Sequence, residues 1–241
     1  MKTPDLEALL KRMRSDWDRR ARENARYYVN TAEADWSEEE FFRTGRETVI
    51  EQILSDRENI CQGRKPSRMR VLEIGCGAGR VTRALGEIFG EVHALDVSGE
   101  MVALARRAVA RQSHVHIYRN NGFDLAVVPP LPFDFAFSTI VFQHIPSRAV
   151  IANYTREVWR LLRPGSLFKF QVQGETAKFG VQETGEPDVQ LGDTWLGYPF
   201  SDEDALALAR ECGFEARSRH GAGEPDFWLW FFKVGVPVAH R

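Results

Sequence analysis

Arg70-Val-Leu-Glu-Ile-Gly-Cys-Gly-Ala-Gly-Arg80 is the stretch whose reading decides the fold. Val71, Leu72 and Ile74 form a short apolar run that favours a buried strand. Gly75, Gly77 and Gly79 follow at once. Val81-Thr-Arg-Ala-Leu85 then opens a helical periodicity that continues through Ile88 and Phe89. Strand, glycine turn and helix, in that order, build a nucleotide-binding loop. Glycine is needed there because a ligand lies against bare backbone and the turn uses φ values that side chains disfavour.

The glycine spacing narrows the ligand. A dinucleotide fingerprint would place its third glycine at Arg80, and no G-x-x-x-x-G-K-[ST] phosphate loop occurs. The pattern is G-x-G-x-G, with Glu73 two positions ahead of it. Glu91-Val-His-Ala-Leu-Asp-Val97 reads as a second strand ending in Asp96, 21 positions beyond Gly75. A carboxylate at that place can accept both hydroxyls of a ribose.

With Phe133-Asp-Phe-Ala-Phe-Ser138 added, the E-x-G-x-G-x-G run and the strand ending in Asp96 resemble the class I S-adenosylmethionine-dependent methyltransferases, over residues 65–235. The resemblance implies an α/β fold: a doubly wound, Rossmann-like, seven-stranded and mostly parallel sheet whose last strand is antiparallel. It implies S-adenosylmethionine as cofactor and S-adenosylhomocysteine as product. It assigns cofactor binding to Glu73, Gly75, Gly77, Gly79, Asp96 and Val97. Met101 falls where the family sets an apolar residue against adenine, although ordinary core packing explains it equally. Asn121 and Gly122 occupy the turn where an acid or amide meets the adenine amino group; Asp124 is an alternative, as is a plain Asn-Gly turn. Ser138 and Thr139 border the methionine part of the cofactor, and Gln143 and His144 face the pocket mouth. His144 is a candidate general base, with a structural cap tied to backbone as the competing role. Within the family, the Phe-Ser-Thr-Ile-Val-Phe-Gln-His ending resembles the small-molecule type; Pro129-Pro130 precedes the strand, and the Asn/Asp-Pro-Pro-Tyr turn of exocyclic-amine and glutamine methylases is absent at its end.

The whole chain bounds the rest. It has 241 residues, 43% of them hydrophobic, enough for one sizeable core with an extension. A net charge of −2 supplies no overall basic field for nucleic acid. Cys61, Cys76 and Cys212 are widely spaced, with no metal or redox pattern, and free thiols fit a reducing compartment. Met1-Lys-Thr-Pro-Asp5 lacks the apolar core of a signal peptide, and no apolar run is long enough to span a membrane. A cytoplasmic location with no membrane contact is expected. No cluster of metal ligands stands out, and nothing sets an oligomeric state.

Residues 1–66 read as a helical cap and 67–241 as the cofactor-binding core. Leu6, Leu9, Leu10, Met13 and Trp17 predict a helix over 5–28, arginine-rich on its other positions. Ser37 and Glu40 make a capping box that opens a second helix running to Cys61. In the core, strands at 70–75, 91–96, 114–118, 133–139 and 166–172 alternate with helices at 79–89, 98–112 and 147–162. Residues 173–199 lack a period and read as a lid-like insertion. A helix begins at Ser201, and strands 214–220 and 226–234 close the chain as an antiparallel hairpin. The cap carries Trp17, Tyr27, Tyr28, Trp36, Phe41 and Phe42, with Arg43 and Arg46; Trp195 and Tyr198 lie in the insertion. Aromatic faces suit a sulfonium and arginine suits a carboxylate, while plain packing is the competing reading. The expected function is methyl transfer to oxygen, nitrogen or carbon of a small molecule. RNA or protein as acceptor, supported only by the arginines of 11–26, and a non-catalytic cofactor-binding module are the alternatives.

Overall fold

The computed structural model describes residues 3–175 and 194–234. Most of the expected lid falls outside the described residues. The cap holds helix α1 (Thr3–Val29), helix α2 (Glu38–Gln52) and the short α3 (Arg57–Cys61). The core then runs β1 (Arg70–Ile74), α4 (Arg80–Gly86), β2 (Glu91–Asp96), α5 (Gly99–Ala108), β3 (Val115–Arg119) and β4 (Phe133–Ser138). It continues with α6 (Arg148–Leu161), β5 (Leu162–Gly174), β6 (Pro199–Phe200), α7 (Asp202–Glu211), β7 (Phe214–His220) and β8 (Asp226–Lys233).

The sheet order is β3-β2-β1-β4-β5-β8-β7, with the two-residue β6 paired to β5. β1 through β5 are parallel, and β8 runs antiparallel to both of its neighbours. The doubly wound sheet expected from the sequence is therefore present, with β6 as an addition. Side chains alternate across it. Val71 joins Val49 of α2, Leu85 of α4 and Ala105 of α5 on one face, while Leu72 joins Val158 of α6 and Leu208 of α7 on the other. The order reverses between β1 and β4, so ligand space opens beyond the carboxyl ends of those strands. Among the described residues, no helix is long and apolar enough to cross a membrane.

Four boundaries depart from the expected ones. α4 stops at Gly86 rather than 89, because residues 87–90 tighten into a turn that leads to β2. The second helix starts at the Ser37–Glu40 capping box but stops at Gln52 instead of reaching Cys61. Lys169 of β5 donates to the Gln52 carbonyl, and the chain turns through Leu54–Asp56 before α3. α5 ends at Ala108 rather than 112, because residues 109–112 tighten into a turn that feeds β3. β5 begins at Leu162, so Arg163-Pro-Gly165 is a bulge inside the strand and not a free helix stop. α1 also breaks from helical geometry at Asn24, whose side chain accepts from Tyr27 N at 3.1 Å and restarts the helix.

Candidate active site

The glycine loop leaves β1 beneath the C-terminal end of β2. Gly75 has φ +75°, and a Cβ there would lie 2.2 Å from Val141. Gly77 has φ +51°, and its N–H donates to Asp96 Oδ2 at 2.9 Å. The other Asp96 oxygen accepts from Ser98 N at 2.8 Å. Ser98 itself caps α5, its hydroxyl accepting from Met101 N at 3.1 Å. Helix capping is thus done by Ser98, and Asp96 keeps its remaining lone pairs for the cleft.

Glu73, Gly75, Gly77, Asp96, Val97 and Met101 line one cleft, and Thr139 and His144 close its other side. The cleft encloses about 820 Å³ including its solvent-open mouth. Burial pushes the Glu73 carboxyl up to about 7 and that of Asp96 up to about 6. Oε2 of Glu73 is buried with no hydrogen-bond partner among the described residues. The Cys76 thiol, also on the cleft, is raised well above its ordinary value by burial, so it stays protonated and is no nucleophile.

Four expected residues stand elsewhere. Asn121 is exposed, and its Oδ1 is taken by Phe123 N at 2.8 Å and Asp124 N at 3.0 Å, which fixes the turn. Gly122 belongs to the same turn, with φ +86°. Ser138 is fully buried and donates to the Ile74 carbonyl at 2.9 Å, tying β4 to β1. Gly79 starts α4, and a Cβ on it would meet Ala105 Cα at 3.1 Å, so its smallness serves the approach of α4 to α5.

The cleft is completed by Arg80, Asn120 and Tyr154, which sequence reasoning missed. Asn120 N donates to the Asp96 carbonyl at 3.1 Å, which continues the β2–β3 pairing by one residue. Its side chain therefore turns in where Asn121 turns out. Its amide nitrogen donates to the Tyr154 hydroxyl, while Oδ1 is buried without a hydrogen-bond partner among the described residues. Arg80 is buried and donates to Thr48 Oγ1 at 2.9 Å and the Thr44 carbonyl at 3.2 Å. It brings a guanidinium to the cleft, whereas Arg43 pairs with Glu47 and Arg46 is exposed. Burial lowers the Arg80 value to about 10, and it remains charged at neutral pH.

Part of the aromatic cap reaches the cleft. Trp17 and Tyr28 line it, while Phe41 and Phe42 pack with Ala78 and Met101 behind it. His144 is buried between Trp17 (ring centroids 5.3 Å apart, edge-on) and Trp195 (4.7 Å). Its Nδ1 bonds the Trp195 carbonyl. Thr194 and Trp195 are held from above by α1, where Arg20 stacks over both Trp17 and Trp195 and Asp16 accepts from the Thr194 hydroxyl at 2.9 Å. Tyr198 is farther off, packed on Phe200. A second chamber shares Tyr28, Thr139 and His144 with the cleft and continues past Trp36, Gln171 and Trp228. Gln171 organises its floor, accepting from Ile140 N at 3.1 Å and donating to Gln143 Oε1 at 2.7 Å.

Known proteins resemble this chain in part of its sequence and in its fold. The family described as a methyltransferase domain matches residues 71–165. Malonyl-[acyl-carrier protein] O-methyltransferase of Enterobacter lignolyticus is 34% identical over 111 residues, 44% of this chain and 41% of that protein. Ubiquinone biosynthesis O-methyltransferase of Xanthomonas campestris pv. campestris is 31% identical over 118 residues, 48% of each chain. The matched region thus spans less than half the length of these relatives. Among solved structures, the DhpI–SAH complex superposes with a TM-score of 0.61 at 20% identity, covering 94% of this chain and 97% of that one, a likeness of fold. Over residues 71–165, then, the chain is similar to the methyltransferase-domain family, and over most of its length it shares the fold of a solved S-adenosylhomocysteine-bound protein.

Proposed function

We propose that the chain transfers a methyl group from S-adenosylmethionine to a small-molecule acceptor. The observation that carries this reading is the pair of buried, unpartnered oxygens on the cleft wall, Glu73 Oε2 and Asn120 Oδ1. Each such orphan costs about 1–3 kcal/mol unless a ligand donates to it. The cofactor has a donor for each, an ammonium for Glu73 and an aminopurine for Asn120. Asp96 faces the ribose hydroxyls, Arg80 the carboxylate, and Met101 with Val97 the adenine ring. Asn121, Gly122, Ser138 and Gly79 act behind this wall rather than on it.

When bound, the cofactor supplies an activated methyl on a sulfonium. The protein's part is to exclude water, align the acceptor and hold its proton. A carbonyl only accepts, so the bond to Trp195 O fixes the proton of neutral His144 on Nδ1 and leaves the lone pair on Nε2, 3.5 Å from the Gln143 amide nitrogen. Nε2 of His144 is the base for an acceptor hydroxyl or amine seated in the second chamber. The two relatives described above are named O-methyltransferases, which makes oxygen the first acceptor atom to test. An RNA acceptor is disfavoured by the arginines of α1, which engage this same chain: Arg14 bonds the Asn121 carbonyl at 2.9 Å, and Arg22 pairs with Glu100 at 3.2 Å.

Two variants separate the halves of the reading. By calorimetry with S-adenosylhomocysteine, Asp96→Ala should bind about tenfold or more weakly with an unchanged circular dichroism spectrum. His144→Gln should keep that affinity and lose about 10²-fold in labelled-methyl transfer to a fractionated metabolite extract. Wild-type affinity in the first variant removes the ribose assignment. Wild-type rates in the second leave His144 a purely structural residue.

A further inference from the structure

Away from the cleft, the sheet gathers three side chains that the sequence keeps apart. Glu91 and His93 stand two positions apart on β2 and so share a face. The parallel register sets His116 of β3 directly beside His93. One ligand atom from each of the three lies within 4.8 Å of the others. His93 Nε2 sits 2.7 Å from Glu91 Oε1, and its Nδ1 sits 3.0 Å from the Tyr118 hydroxyl. The surroundings are those of a built site. Phe133 meets the buried His93 ring edge-on at 5.1 Å and keeps one wall dry, while exposed His116 leaves the other side open for entry. Arg70 holds the second Glu91 oxygen at 2.7 Å, which fixes the carboxylate with Oε1 toward His93.

We propose that Glu91, His93 and His116 bind a divalent transition metal of the zinc class, with water completing a tetrahedron. Two imidazoles and one carboxylate suit zinc rather than magnesium or calcium, which prefer oxygen ligands. On coordination His93 stays neutral. Its Nε2 proton, now directed at Glu91, is exchanged through solvent for one on Nδ1, which donates to the Tyr118 hydroxyl. Tyr118 is then the outer partner that fixes the metal-bound tautomer. Glu91 and Asp96 are five residues apart on β2, roughly 16 Å at about 3.3 Å per residue. The metal therefore sits at the opposite end of the sheet from the cleft. It joins the edge strand β3 to β2 and takes no part in methyl transfer.

The test uses the full chain, stripped with a chelator and titrated with Zn²⁺ alone. One equivalent should bind by calorimetry, and the melting temperature should rise and fall back on adding EDTA. His116→Gln changes an exposed residue and spares the core; it should weaken binding more than tenfold. Tyr118→Phe, which keeps the ring and removes the hydroxyl, should weaken it about tenfold. His220→Gln, on β7, should bind as wild type. No saturable binding, equal affinity in His116→Gln, or an equal loss in His220→Gln overturns the proposal.

Discussion

Glu73 and Asp96 are the two carboxyl groups of the cleft, and both are raised by burial, to about 7 and about 6. A raised value means that the folded chain prefers the protonated acid. The contribution of each to stability is therefore present below the ordinary carboxylate range, and is lost as pH rises through about 6 for Asp96 and about 7 for Glu73. A cation in the cleft acts in the opposite sense and draws the protons off. Near pH 6.5, binding of S-adenosylmethionine should release protons, so its calorimetric enthalpy should vary with the ionisation heat of the buffer. Glu73→Gln should shrink that variation. Heats that are the same in every buffer would show that neither carboxyl meets the positive end of the ligand.

Helix α2 reaches the Arg80 side of the cleft through its contact with α4. A Cβ on Gly45 would stand 1.9 Å from the Arg80 carbonyl, so the helices touch backbone to backbone at that point. Gly45→Ala should push them apart and cost about 1–3 kcal/mol in urea unfolding. Cofactor affinity should fall with it, because Thr44 and Thr48 of α2 hold the Arg80 guanidinium. Stability equal to wild type would mean that α2 is free to shift. This contact also marks the limit of what was legible beforehand. The glycine loop, the strand and helix alternation and the Ser37–Glu40 box were readable because each is written within a few neighbouring residues. Choosing Asn120 over Asn121 depends on where β3 ends, to a single residue. Preferring Arg80 to Arg43 and Arg46 depends on how α2 lies on α4. The grouping of Glu91, His93 and His116 exists only through the β2–β3 register, and the early end of α2 depends on Lys169, over a hundred positions later.

At the scale of the whole molecule, Met13, Trp17, Tyr28 and Val29 of α1 stand in the wall of the cleft. Asp18 of α1 accepts from Ser98 Oγ at 2.6 Å, which docks the first part of α1 on the start of α5. Beyond Asn24 the short remainder of α1 lies over the glycine loop, where a Cβ on Gly77 would come within 2.7 Å of Val29. The two parts meet at one residue with extended backbone, held by Tyr27 N on Oδ1 and by the Ala34 carbonyl at 3.0 Å from Nδ2. On the function proposed above, a spent nucleoside would lie beneath Tyr28 and Val29, and its release would need this joint to move. Rapid mixing should show a first round of product faster than all later ones, and Asn24→Gly should erase that difference by speeding departure. A first round no faster than the rest would mean that the doorway stands open throughout.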